Sequence, residues 1–99
     1  MPAYIIARAK VSDPEGMQTY RDQVPVALAK CGGRFLVRSP SEVLEGDDDG
    51  RHTVVLEFPD MEHLKAFWDG DEYSALRELR QNYSQVTAVA APGYIVPES

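Results

Sequence analysis

Residues 51–83 read RHTVVLEFPDMEHLKAFWDGDEYSALRELRQNY, and this stretch decides the fold. From His52 to Phe58 the side chains alternate: His52, Val54, Leu56 and Phe58 share one face, Thr53, Val55 and Glu57 the other. Neither face is wholly polar, so both are expected to be at least partly covered. Pro59 cannot donate to a sheet ladder and ends the strand. Asp60 then stands where a helix N-cap belongs, with Glu62 in the first turn, favourable to the helix dipole. Leu64, Phe67 and Trp68 recur at helical spacing. Gly70 breaks that helix and Asp71 can cap a second, whose stripe runs Tyr73, Leu76, Leu79 or Arg80, and Tyr83.

Upstream, Ala3 to Val11 alternates between a small apolar face (Ala3, Ile5, Ala7, Ala9, Val11) and a larger mixed one (Tyr4, Ile6, Arg8, Lys10). This predicts a strand whose small side lies under a helix. Asp13-Pro14 is a helix start, Asp13 as N-cap and Pro14 at the first helical position. Met17, Tyr20, Val24, Ala27, Leu28 and Cys31 follow at intervals of three and four. Pro25 removes the bond to the Arg21 carbonyl, predicting a kink or a split. Gly32-Gly33 is the stop, one of the pair taking the left-handed cap. Arg34 to Arg38 reads as a second strand with Phe35 and Val37 on one face. Ser39-Pro40-Ser41 interrupts it, and Glu42 to Glu45 resumes extended structure. Pro40 points to an edge or a bulge. Gly46-Asp47-Asp48-Asp49-Gly50 is a turn too acidic to bury, closing a hairpin. Val86 to Ala91 is a fourth strand, and Tyr94-Ile95-Val96 an apolar tail.

The resulting order, strand–helix–strand–strand–helices–strand, is that of an α+β ferredoxin-like split βαβ sandwich. It has a four-stranded antiparallel sheet with strands one and three in the centre and helices on one face. The uncovered face would carry Tyr4, Ile6 and parts of strands two and three. A half-apolar sheet face is most simply covered by a second copy, giving a dimeric α+β barrel. The 99 residues make one domain, residues 1–99. A net charge of −6 repels phosphate backbones and argues against nucleic acid. No apolar run reaches the roughly 20 residues of a membrane span. The N-terminus lacks the pattern of a signal peptide. The single cysteine, Cys31, allows no internal disulfide and fits a cytoplasmic location.

Several markers together carry a likeness: the Asp13-Pro14 start, Tyr20, Val24-Pro25, Gly32-Gly33, Arg38, Leu44-Glu45-Gly46, Glu57-Phe58-Pro59 and Glu72-Tyr73. With them the chain resembles, up to Arg80, the proteins grouped as domain-of-unknown-function family 1330. The resemblance implies the dimeric α+β barrel fold. That superfamily includes cofactor-independent monooxygenases acting on polyketide quinols, muconolactone isomerases and haem-using relatives. The family has no assigned function, so the resemblance settles shape and not chemistry. Relatives commonly carry a histidine before the glycine pair. Here it is Cys31, and a mechanism resting on that imidazole has no counterpart.

Tyr20, Arg38, Glu57, Trp68 and Tyr73 are the candidate constellation. Tyr20 from the first helix, and Phe67, Trp68 and Tyr73 from the helical pair, would wall a small-molecule cleft between sheet and helices. Arg38 could hold a carboxylate or enolate oxygen, and Glu57 or Tyr20 could move a proton. The simpler reading is that aromatics at helical spacing are core and an Arg–Glu pair across strands is structural. His52 and His63 lack ligand spacing, so neither a metal site nor haem ligation is expected. The acidic loop resembles the start of an EF-hand but has Leu56 where a bidentate Glu is required. Cys31 at a helix C-terminus is poorly placed for a thiolate. Two functions remain: a cofactor-independent enzyme, monooxygenase- or isomerase-like, on a small metabolite, or a non-catalytic binding or assembly module.

Overall fold

The computed structural model describes residues 1–47 and 49–97. Seven elements follow one another: β1 (Ala3–Val11), α1 (Gln18–Lys30), β2 (Arg34–Pro40), β3 (His52–Phe58), α2 (Met61–Asp69), α3 (Asp71–Gln81) and β4 (Ser84–Pro92). The strands form one antiparallel sheet in the order β2-β3-β1-β4. This is the ferredoxin-like α+β arrangement, with β1 and β3 central. No helix among the described residues is long and apolar enough to cross a membrane.

The helices cover one face of the sheet. Ile5, Leu56 and Phe58 point into the core and meet Val24, Leu28, Leu64, Phe67, Tyr73 and Leu76. Phe58, Leu28 and Leu64 are almost fully enclosed, each contributing about 2 kcal/mol of transfer free energy. Turn chemistry sets the element ends. The Asp60 carboxylate accepts the His63 N–H at 2.8 Å and caps α2. At the end of α1, Gly32 takes φ +72°, while Gly33 N–H returns to the Leu28 carbonyl at 3.0 Å.

Several expectations are corrected. Asp13 does not cap α1: its carboxylate binds the N–H groups of Glu15 and Gly16, closing a separate turn, and the helix begins at Gln18. The Tyr83 ring lies where a side chain on Gly16 would project. Of the two outcomes expected at Pro25, the split does not occur: α1 runs on to Lys30. Gly70, not Asp71, occupies the N-cap of α3. Glu42 to Glu45 forms no strand. Of the acidic turn, Asp48 lies outside the described residues. Asp49 is drawn to Arg8 at 2.9 Å and to Arg51 at 3.8 Å.

The most consequential correction is in β2. Phe35 pairs with Leu56, but Val37 pairs with Val55 and Arg38 with Val54, so a bulge adds one residue at Leu36. Beyond it every side chain changes face. Arg38 therefore joins Phe35 on the helix side, its guanidinium 4.8 Å from the ring centre, while Val37 turns to the uncovered face. There Val37, Val55, Ile6 and Val89 form a continuous row across all four strands. Ile6, Val37 and Val89 are 40%, 39% and 55% exposed. A polar row, Ser39–Thr53–Arg8–Thr87, runs along one side. Arg34, Glu57 and Tyr4 run along the other, Arg34 paired with Glu57 at 2.7 Å.

Gly33 tests the packing of the α1 stop. A Cβ there would stand 2.5 Å from Leu28 Cδ1 and 2.7 Å from Phe58 Cε1. Gly33→Ala is expected to lower unfolding free energy by about 1–3 kcal/mol. Urea denaturation measures it, and an unchanged midpoint would contradict the packing described.

Candidate active site

A cleft of about 710 Å³ opens between the helix side of the sheet and the helices. Small side chains make the room. Ala7 and Ala9 on β1 and Ala88 on β4 floor it where larger residues would fill the space. Phe35, Val54 and Leu56 continue the floor; Met17, Val24 and Trp68 form apolar walls.

Two tyrosines converge in it. The Tyr20 and Tyr73 hydroxyl oxygens are 2.9 Å apart, their rings meeting edge-on at 6.3 Å. Arg80 lines the cleft beside them. Its Nε donates to the Tyr73 oxygen at 3.4 Å, and its guanidinium lies 6.0 Å from the Tyr20 ring centre. Burial, and next the neighbouring Tyr73 oxygen, push the Tyr20 phenol well above its ordinary range, with Arg80 pulling the other way. Tyr20 therefore stays protonated near neutral pH, and either hydroxyl of the pair can donate to the other. For Arg80, burial works against the charge, but contact with Tyr73 and Tyr20 more than offsets it, so the guanidinium stays charged.

The structure brings Tyr20, Arg38, Trp68 and Tyr73 together around this cleft. It does not bring Glu57 or Phe67 to it. Glu57 lies on the opposite face of the sheet, where it accepts from Arg34 Nε at 2.8 Å and from the Tyr4 hydroxyl at 3.2 Å. The parity of β3 puts it there, because the helices cover the Leu56 side. Phe67 is 2% exposed and packs behind the site, its ring 4.4 Å from Tyr73 and 5.4 Å from Phe58. Arg80 and His52, absent from the sequence-derived constellation, do line the cleft. The signal for Arg80 was a charge at a stripe position of α3, seven residues after Tyr73. His63 is engaged by Asp60 at 2.6 Å, away from the cleft. Among the described residues no group of three or more His, Cys, Asp or Glu could hold a metal ion.

The sequence model of a domain of unknown function, DUF1330, matches residues 2–94. No curated protein sequence matches the chain. Among solved structures, a protein of unknown function from Rhodopseudomonas palustris is similar with a TM-score of 0.74 at 16% identity, covering 96% of this chain and 84% of that one. SnoaB, a cofactor-independent oxygenase from Streptomyces nogalater, superposes with a TM-score of 0.69 at 13% identity, covering 98% of both chains. A dimeric ferredoxin-like protein of unknown function from Bacteroides fragilis gives 0.60 at 12% identity, over 91% of this chain and 94% of that one. At such identities the likeness is one of fold.

A raised Tyr20 phenol ties stability to alkaline pH. The neutral form is favoured in the folded state, so the contribution is complete below the unfolded tyrosine value of about 10 and is lost as pH rises beyond it. Phenolate absorbance of the folded protein is expected to include a late component from Tyr20 and from Tyr4, whose phenol is also raised by burial and by Glu57. Tyr20→Phe should remove one late tyrosine. A late component unchanged in that variant would contradict the site as described.

Proposed function

The chain belongs to the DUF1330 family, and from that premise we propose that it is a homodimeric, cofactor-independent enzyme acting on a small, flat, largely apolar metabolite. The observation that carries this reading is the apolar cleft with two hydroxyls converging at 2.9 Å. Predominantly apolar walls with a few aimed polar groups are the usual composition of a small-molecule site. In this reading the Tyr20 hydroxyl donates to an oxygen on which negative charge develops, Arg38 orients the molecule from β2, and Trp68 walls it in. An imidazole is the side-chain type that exchanges protons near neutral pH, and His52 is the one that lines the cleft. The fold shared with a cofactor-independent oxygenase favours chemistry without a bound group. Glu57, facing away, takes no part.

The dimer is the second component. The Val37–Val55–Ile6–Val89 row, flanked by polar rows, is a surface that a second copy would cover. Dimeric relatives in fold support it. A non-catalytic binding module is favoured by one observation: among the described residues no carboxylate lines the cleft.

Oxygen uptake with dihydroxynaphthalenes as probes separates the two functions. Enzymatic turnover should fall on the order of 100-fold in Tyr20→Phe with little change in thermal midpoint. Probe binding without turnover, identical in the wild type and the variant, selects the binding module. For the assembly, light scattering should give twice the 11.0 kDa chain mass. Ile6→Lys, on an exposed position, should give a folded monomer. A monomeric wild type at micromolar concentration would overturn the dimer.

A further inference from the structure

The charge of the cleft is opposite to that of the chain. The protein carries 16 acidic and 10 basic residues, yet Lys10, Arg21, Arg38, His52 and Arg80 line the cleft and, among the described residues, no aspartate or glutamate does. The pairing pattern sharpens the contrast. Outside the cleft, Arg8, Arg34, Arg51 and Lys30 each have a carboxylate within 4 Å, while among the described residues Lys65 and Arg77 have none. Among the described residues, none of the cations lining the cleft has one. Arg21 binds the Pro14 carbonyl and Gln18, and Arg38 rests on a phenyl ring.

Arg80 is the decisive member. It is only 6% exposed, and the protein gives it neutral partners: its Nε meets the Tyr73 hydroxyl. A guanidinium taken out of water without a counterion is unfavourable unless something anionic completes it. Its planar fork of donors suits two oxygens of one acid group. The surroundings are apolar and aromatic, so the acid group should be attached to a body that fills such walls.

We infer that the cleft binds an organic carboxylate with a flat apolar body, its acid group completing the charge of Arg80 beside the Tyr20–Tyr73 hydroxyls, with Arg38 as a second cation. This rests on the reading of the cleft as a small-molecule site and names the substrate class. Arg80 is then a binding residue that touches the ligand.

Calorimetric titration of the full chain tests it with naphthoate, its neutral isostere naphthamide, and inorganic phosphate. Wild-type protein should bind naphthoate at least about 10-fold more tightly than naphthamide. Added salt should narrow that ratio only modestly, because the charge is buried. In Arg80→Met the ratio should fall towards one while naphthamide binding is retained. Arg38→Met should reduce the ratio partially, and serves where Arg80→Met does not fold. Equal affinity for acid and amide in the wild type overturns the inference and leaves the cleft reading intact. Binding of phosphate but not naphthoate overturns it in favour of an inorganic oxyanion site. Failure of both naphthalene probes removes the cleft reading and this inference with it.

Discussion

The pairing of β1 with β3 is the constraint on which the structure depends. Ile5 stands opposite Leu56, and the next pair, Ile6 opposite Val55, points the other way. Both centres are apolar, so the sheet has two faces to hide. The helices hide one. Because side chains alternate with a period of two, a slip of one residue would exchange the faces completely. The floor of the cleft and the uncovered apolar row are consequences of the same register, seen from opposite sides.

The site itself is built from departures on that regular frame. The floor is open because β1 and β4 present alanines where β3 presents Val54 and Leu56. Arg38 reaches the cleft only because β2 takes one extra residue at Leu36. The same bulge completes the apolar row by turning Val37 outward. A single insertion thus supplies a cation to one face and a methyl-rich side chain to the other. Without it, Arg38 would join Glu57 and Arg34 on the outer face, and Val37 would face the cleft in its place.

The central elements were legible because their local signals are strong. The His52–Phe58 alternation, the Pro59 stop, the Asp60 cap and the Gly32-Gly33 pair each have one favourable structural solution, and each adopts it. Tyr20, Trp68 and Tyr73 could be placed together because helical spacing assigns each to a core-facing stripe. The bulge left no comparable trace: it changes parity without requiring a glycine or proline at Leu36. Glu57 was misplaced for a different reason. Its alternation already separated it from Val54 and Leu56, but the chain does not say locally which face the helices will cover. At Asp13 the capping signal operated on a turn instead of the helix, and the Tyr83 ring packs beside Gly16 in that turn. That contact joins residues far apart in sequence, and no local pattern encodes it.

Arg80 shows why a site can weaken the fold that carries it. An apolar side chain of similar volume at that position would fill the space between α3 and the sheet without desolvating a charge, an exchange that often stabilises a protein by about 1–4 kcal/mol. Against a total stability on the order of 5–15 kcal/mol, that is a substantial fraction. The tyrosine hydroxyls keep the guanidinium protonated but bring no negative charge, because burial keeps Tyr20 protonated. The field of the whole molecule does not substitute for a counterion either. A net charge of −6 repels anions at a distance, but salt screens that repulsion beyond about 8 Å. Within the cleft the cationic lining governs. An approaching anion would therefore gain little from long-range steering and would be selected on contact, which places discrimination in the dissociation rate more than in the encounter.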